Sequence, residues 1–146
     1  MKKSTIAVAA DHAGYHMKEL ILKYLKKEGY TVHDFGTYSD NDVDYPDFAH
    51  KLGHAIHTKE YDCGFVFCGS GNGVNMTVNK HQNVRSGLCW NVEIAQLVKA
   101  HNNANVCAIP ARFVTAHDVL AIVKTFLNTK FEGGRHARRV DKIAIS

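Results

Sequence analysis

The amino-acid sequence predicts an α/β fold, specifically a Rossmann-like three-layer α/β/α sandwich with a five-stranded parallel sheet. Short apolar, β-branched runs alternate with helical patterns along the whole chain. The runs are apolar on both faces, as in a parallel sheet that helices cover on each side. The chain of 146 residues, 45% hydrophobic and 22% charged, has the length and composition of one globular domain. We therefore expect a single domain over residues 1–146, with a basic C-terminal tail or helix over about 131–146.

The first strand and the first helix carry the clearest patterns. The run Thr5–Ala10 is apolar at almost every position, which predicts a buried strand. Apolar side chains then recur at helical spacing from Met17 to Leu25, with Lys18 and further lysines on the opposite side. This pattern predicts an amphipathic helix whose lysines face solvent. Gly29 is expected to end the helix.

The remaining elements follow in the same alternation. Pro46 opens the second helix, since proline is tolerated in a first turn. Thr115 precedes the last long helix and, with Asp118 three residues on, predicts a capping box at its start. The further strands are expected over Thr31–Phe35, Cys63–Phe67, Arg85–Cys89 and Asn105–Ile109, and the further helices over Gly73–Lys80, Val92–Ala100 and Ala116–Leu127.

Charge and composition narrow the classes of partner. Eighteen Lys and Arg against 14 Asp and Glu give a net charge of +4. This charge favours small anionic ligands and falls far short of the dense basic stripe of a nucleic-acid-binding protein. No apolar run approaches the roughly 20 residues that cross a bilayer, and the first residues show no secretory signal. We expect a cytoplasmic protein without nucleic-acid or membrane partners, whose four cysteines are reduced.

The sharpest chemical signal is the segment Cys68–Gly73, directly after the third predicted strand. Glycines at alternate positions let successive backbone N–H groups converge on an anion. The segment is neither a Walker loop nor a complete dinucleotide fingerprint, so we do not assign it to nucleotides. The amides and the following helix favour a thiolate at Cys68, which could act as a base. The alternative is a tight strand-to-helix turn with an inert core thiol, the interpretation we give to Cys63, Cys89 and Cys107.

Histidines and arginines supply the other candidates. His101 ends a helix. It is either a general acid or base, or a side chain that only stabilises the negative end of the helix dipole. Arg135 and Arg139 are four residues apart, so a helix after the preceding glycines would put both on one face, suited to phosphate; the alternative is a solvated basic end. Helical spacing places three further histidines on a solvated face without a strand-end partner, which we do not predict as a metal site: His50, His54 and His57.

Together, these residues resemble ribose-5-phosphate isomerase B, in the broader family that includes the galactose-6-phosphate isomerase subunits. The resemblance runs nearly end to end, and it consists of several specific motifs in order. These motifs are Ala10–Gly14, Asp44–Pro46, Cys68–Gly73, Asn79-Lys80, His101–Asn105, and Glu132–His136 with Arg139.

The resemblance implies a single isomerase domain without cofactor or metal, which interconverts ribose 5-phosphate and ribulose 5-phosphate through an enediolate. On matching positions, Cys68 is the base, Ser70 helps to position or relay protons, and His101 assists ring opening. The implied substrate-binding residues are Gly69, Gly71, Asn72 and Gly73 for the oxyanion, Asp11, Tyr45 and Asn102 for sugar hydroxyls, and His12, Arg112, Arg135 and Arg139 for phosphate. The family also forms homodimers, or dimers of dimers, with shared active sites.

Differences from the family pattern bear on these roles. Ser70 stands where many relatives have threonine, which keeps the hydroxyl. Val74 stands where one branch of the family has a glutamate base, and no Asp or Glu occurs between Asp62 and Glu93, which leaves Cys68 as the base. Pro110 stands where glycine is common, close to Arg112. The alternative functions are an isomerase of a six-carbon aldose phosphate, such as allose or galactose 6-phosphate, and a non-catalytic sugar-phosphate-binding module.

Overall fold

Strands and helices alternate from β1 to the fifth helix, as the periodicity predicts, and a short sixth helix follows. The computed structural model describes residues 3–145, so residues 1, 2 and 146 of the predicted domain lie outside the described residues. The strands are β1 (Thr5–Ala10), β2 (Thr31–Asp34), β3 (Cys63–Cys68), β4 (Ser86–Leu88) and β5 (Val106–Pro110). The helices are α1 (Tyr15–Lys27), α2 (Tyr45–His57), α3 (Asn72–Val78), α4 (Val92–Ala100), α5 (Ala116–Asn128) and α6 (Arg135–Asp141).

The five strands form one sheet in the order β2-β1-β3-β5-β4, and every pair is parallel. This confirms the predicted sheet. From β1 the chain continues to β2, at one end of the strand order. From β3 it continues toward β4 and β5, in the opposite direction along the sheet. The carboxyl ends of these two neighbouring strands therefore form a topological switch point, the place where open α/β sheets bind their ligands.

Alternate side chains of each strand enter two separate cores. Val8 and Phe65 pack with α1, α4 and α5 on one face. Ala9, Val66 and Cys68 pack with α2 and α3 on the other. Helices thus cover both faces, which confirms the three-layer sandwich. The same alternation directs the Cys68 side chain toward the layer of α2 and α3.

Lys18 is the clearest departure from the predicted pattern. It was expected in solvent, but its side chain is fully buried, with Nζ 2.7 Å from Asp34 Oδ2 and 2.8 Å from Glu19 Oε1. These two carboxylates compensate the cost of removing the ammonium group from water. The partner Asp34 ends β2, 16 residues away, so helical periodicity alone gives no indication of the ion pair.

The capping signal predicted for the last long helix agrees with the structure. Thr115 Oγ1 accepts from the Asp118 N–H at 3.1 Å and Asp118 Oδ2 accepts from the Thr115 N–H at 3.0 Å, which completes the predicted capping box. The fourth strand, Ser86–Leu88, is shorter than predicted and, as an edge strand, pairs only with β5. None of the helices in residues 3–145 is long and apolar enough to cross a membrane.

Candidate active site

Asp11 begins the site at the carboxyl end of β1. Its backbone N–H donates to the Phe67 carbonyl at 3.2 Å, and its Oδ1 accepts from the Gly14 N–H at 3.1 Å. A Cβ on Gly14 would lie 2.5 Å from Phe67 Cβ, so only glycine allows this close approach of the turn to β3. The carboxylate is 7% exposed and is held beside the end of β3 by backbone contacts.

The segment Cys68–Gly73 forms a tight loop between β3 and α3. Gly71 has φ of +76°, and a Cβ there would lie 2.4 Å from Leu88 Cδ1, so glycine is required both by conformation and by space. Ser70 Oγ accepts from the Asn72 N–H at 3.3 Å within the loop. The Tyr45 ring packs on Gly73, where a Cβ would come within 2.6 Å of Tyr45 Cζ. The first turn of α2 therefore borders this loop.

The four cysteines are all free, as predicted, but they differ in their surroundings. Burial raises the pKa of Cys63 to about 12. Burial, with the hydrogen bond to Cys89, also raises the pKa of Cys107. Both thiols therefore stay protonated at neutral pH. Cys68, 5% exposed, is the cysteine that lies at the mouth of the glycine loop.

Arg112 and His12 lie at the same edge of the sheet. Arg112 follows β5, its backbone N–H donates to the Gly69 carbonyl at 3.0 Å, and its guanidinium Nη1 is 3.1 Å from the position of a Cβ on Gly69. Pro110, in register with Cys68, thus leaves Arg112 against the loop. His12 Nδ1 accepts from the Val43 N–H at 3.2 Å, and its Nε2 is 3.5 Å from Asp42 Oδ1.

The other predicted residues lie at the opposite edge of the same sheet. His101 and Asn102 precede β5, whose first residue, Val106, is in register with Gly64 rather than with Cys68. The four-residue difference corresponds to about 13 Å along the strand. The Glu132 N–H donates to the Ala100 carbonyl at 2.9 Å, which fixes the start of α6 beside the end of α4. The structure therefore does not bring His101, Asn102, Arg135 and Arg139 to the Cys68 loop of their own chain.

We call these two sets the carboxyl-edge group and the amino-edge group. The carboxyl-edge group consists of Asp11, His12, Tyr45, Cys68, Gly69, Ser70, Gly71, Asn72, Gly73 and Arg112. The amino-edge group consists of His101, Asn102, Arg135 and Arg139, together with Glu132 and His136. Arg135 and Arg139 lie on one helix, α6, as their spacing predicts.

Glu132 and His136 are members of the amino-edge group to which the sequence assigned no role. The His101 and His136 rings stack with centroids 4.1 Å apart, and Glu132 carboxylate oxygens lie 3.8 Å from His101 Nε2 and 3.6 Å from His136 Nε2. Burial, followed by the nearby His101 and Arg135, lowers the pKa of His136. The three side chains offer donor atoms within 4.8 Å of one another, close enough to hold a metal ion. The i, i+4 spacing of Glu132 and His136 is the signal that sequence reasoning could have used.

Comparison with known proteins identifies the family. Residues 6–143 match the family model described as Ribose/Galactose Isomerase. The chain is 38% identical over 143 residues to ribose-5-phosphate isomerase B of Escherichia coli K12, covering 98% of this chain and 95% of that protein.

Solved structures agree with this match. The crystal structure of a ribose 5-phosphate isomerase from Thermotoga maritima has a TM-score of 0.96 and 42% identity, covering 99% of this chain and 100% of that one. That of ribose-5-phosphate isomerase B from Mycoplasma genitalium with bound ribulose-5-phosphate has a TM-score of 0.92 and 41% identity, covering 95% and 93%. The resemblance drawn from the sequence is confirmed: the chain is an isomerase of the ribose/galactose isomerase family.

Proposed function

We propose that the chain interconverts ribose 5-phosphate and ribulose 5-phosphate, with the Cys68 thiolate as the base. The observation that carries the proposal is the carboxyl-edge group, in which Cys68 lies at the mouth of a glycine loop beside Asp11 and Tyr45. The Mycoplasma genitalium relative, which binds ribulose-5-phosphate, supports the choice of a five-carbon substrate.

The reaction moves two protons and leaves no net change in composition. The Cys68 thiolate takes the proton from C2 of the open-chain aldose, and the electron pair forms the C1–C2 double bond of an enediolate. Negative charge develops on O1, where the amides of the loop from Gly69 to Gly73 stabilise it. Ser70 relays a proton between O2 and O1, and the Cys68 thiol returns its proton to C1 to give the ketose.

Binding roles follow from position at the two edges. Asp11 and Tyr45 hold sugar hydroxyls beside the loop. At the phosphate end, Arg112 contributes positive charge and His12 contributes a hydrogen bond from its ring N–H. Arg135 and Arg139, one turn apart on α6, present guanidinium groups suited to bidentate contact with phosphate.

We further propose that the site is completed by a second copy of the chain. Cys68 and His101 lie at opposite edges of one sheet, so a single sugar phosphate cannot contact both within one chain. An isologous homodimer in which the amino-edge group of each copy meets the carboxyl-edge group of the other makes two equivalent sites. Trp90 and Phe113, which follow β4 and β5 at the carboxyl edge, are 51% and 76% exposed. Large exposed apolar side chains are typical of such an interface.

Within the amino-edge group, we assign ring opening to His101. Its imidazolium donates a proton to the ring oxygen O4 as the C1–O4 hemiacetal bond breaks. The proton that O1 loses as the C1 carbonyl forms returns to the imidazole through solvent, and closure reverses both transfers. His136, stacked on His101 at 4.1 Å, and Glu132, 3.8 Å from its Nε2, are positioning residues that orient the ring.

A coupled isomerase assay over five- and six-carbon aldose phosphates, with EDTA present throughout, tests the proposed reaction. We expect the highest kcat/KM with ribose 5-phosphate. Higher kcat/KM with allose or galactose 6-phosphate would assign the six-carbon alternative. Binding of sugar phosphates without turnover would identify a non-catalytic binding module.

A further inference from the structure

Four histidines meet on the outer face of α2, outside both edge groups. His50, His54 and His57 lie on this helix at i, i+4 and i+7, and His81 approaches them from the turn after α3. His50 Nδ1 lies 2.9 Å from His81 Nε2. The sequence placed the three helical histidines on a solvated face without a strand-end partner, and the structure brings a fourth histidine to this face from the turn after α3.

A glycine on α2 and a hydrogen-bonded turn fix the position of the His81 ring. A Cβ on Gly53, which lies between His50 and His57 on α2, would come within 2.5 Å of His81 Cδ2. The backbone of His81 is fixed as well, because its N–H donates to the Val78 carbonyl at 3.1 Å and its carbonyl accepts from the Val84 N–H at 3.0 Å. A glycine on the helix and a hydrogen-bonded turn thus position this imidazole against α2.

His57 has a different role from the other three. Its Nδ1 accepts from the Asn83 N–H at 3.3 Å, and its backbone carbonyl accepts from Asn83 Nδ2 at 2.9 Å. These contacts use the ring lone pair and tie the turn around His81 to the end of α2. The remaining three histidines line one cavity of about 470 Å³, to which Glu60 adds a carboxylate and Lys51 a positive charge.

We propose that His50, His54 and His81 bind a divalent transition-metal ion of the Zn²⁺ class, with Glu60 or water as the fourth ligand. Imidazole nitrogen is the ligand that such borderline ions accept readily. Two nitrogens bound to one tetrahedral Zn²⁺ at 2.0–2.1 Å stand about 3.4 Å apart. The His50–His81 pair needs to open only slightly to reach this separation. His54 is exposed one turn beyond His50 on the same helix. Its side chain has to rotate toward the pair to supply the third ring, and its exposure leaves it free to do so.

The cavity also carries two opposite charges. The carboxylate of Glu60 in the same cavity offsets the charge of Lys51.

The competing explanation is a simple N–H···N hydrogen bond between two neutral rings. Imidazole ¹⁵N signals of the wild-type, full-length protein, freed of metal by EDTA and desalting, separate the two during titration with Zn²⁺. We expect the ring signals of His50, His54 and His81 to shift and saturate together, while those of His117, exposed on α5, stay in place. Unchanged signals from the α2 histidines, or shifts confined to His101 and His136, would overturn the proposal.

Matched variants give a second measurement. His54→Ala removes an exposed ligand without touching the core, and His117→Ala removes an exposed histidine elsewhere. By calorimetry, we expect Zn²⁺ to bind His54→Ala about tenfold or more weakly than it binds His117→Ala. Zn²⁺ should also raise Tm less in His54→Ala, because binding to the folded state is what stabilises it. Equal affinity in the two variants would refute the site, and the outcome is independent of the proposed isomerase reaction.

Discussion

The two edge groups are built on different principles. The carboxyl-edge group is fixed by backbone: Asp11 is held by the Gly14 amide, and the Cys68 loop requires glycine at Gly71. Two of its residues, Asp11 and Cys68, are nearly inaccessible, at 7% and 5% exposed. The amino-edge group is formed by side chains at helix ends, and His101 and Glu132 remain 37% and 57% exposed. The first group is thus held in place by its backbone contacts, whereas the second presents charged side chains outward, where the proposed dimer would place the partner's Cys68 loop.

The sharpest test of this contrast is Cys68→Ala. If the thiolate moves the proton, kcat should fall by about 10²–10⁴-fold while KM changes little, because a general base acts mainly in the transition state. Steady-state kinetics with ribose 5-phosphate measure both constants. Cys63→Ala is the matched control, since burial raises the pKa of that thiol to about 12 and it lies at the far end of the same strand. Near-normal turnover of Cys68→Ala would remove Cys68 from the mechanism.

Subunit mixing tests whether the two groups meet across an interface. Cys68→Ala and His101→Ala proteins are each expected to be nearly inactive. A heterodimer of the two contains one site with both residues intact, so it should recover about half the activity of the wild-type dimer. Two affinity tags isolate the heterodimer, and Cys68→Ala homodimers carried through the same exchange are the control. Verified heterodimers without recovered activity would show that Cys68 and His101 do not share a site.

The elements themselves could be predicted because their signals are local. β1 and α4 have the predicted bounds, Thr5–Ala10 and Val92–Ala100. Periodicity and capping residues act over one or two turns, and the sequence displays them directly. The helix between successive strands makes the sheet parallel. Residues before a strand, such as His101, then lie opposite residues after one, such as Cys68.

Contacts between distant segments could not be predicted in this way. Lys18 is buried because Asp34 meets it from β2, and the α2 histidines gain a partner because His81 packs over Gly53. Neither contact can be recognised from the periodicity of the sequence, since each depends on how whole helices pack on the sheet. The stacking of His101 on His136 is of the same kind.

The phosphate contact proposed for α6 gives a smaller expected effect. Arg139→Ala should raise KM for ribose 5-phosphate by about 10–100-fold, as expected for the loss of a charge-assisted hydrogen bond of about 1.5–3 kcal/mol. The change in kcat should be slight, because the phosphate is held alike in the ground and transition states. Arg138→Ala, which removes the neighbouring exposed arginine of the same helix, is the control. An unchanged KM in folded Arg139→Ala would identify α6 as a solvated basic end.

The smallest expected effect is on the free energy of unfolding. It compares alanine substitutions of one glycine in the Cys68 loop and one glycine just before α6. Gly71 and Gly133 have similar positive φ values, +76° and +72°, so alanine at either position pays the cost of a left-handed backbone, about 1–2 kcal/mol. A Cβ at Gly71 also meets Leu88 Cδ1 at 2.4 Å, whereas nothing lies within 4 Å of one at Gly133. Overpacking of this kind costs about 1–3 kcal/mol more. Urea unfolding should therefore show a lower free energy of unfolding for Gly71→Ala than for Gly133→Ala. Equal losses would mean that the glycine loop is not held more tightly than the start of α6.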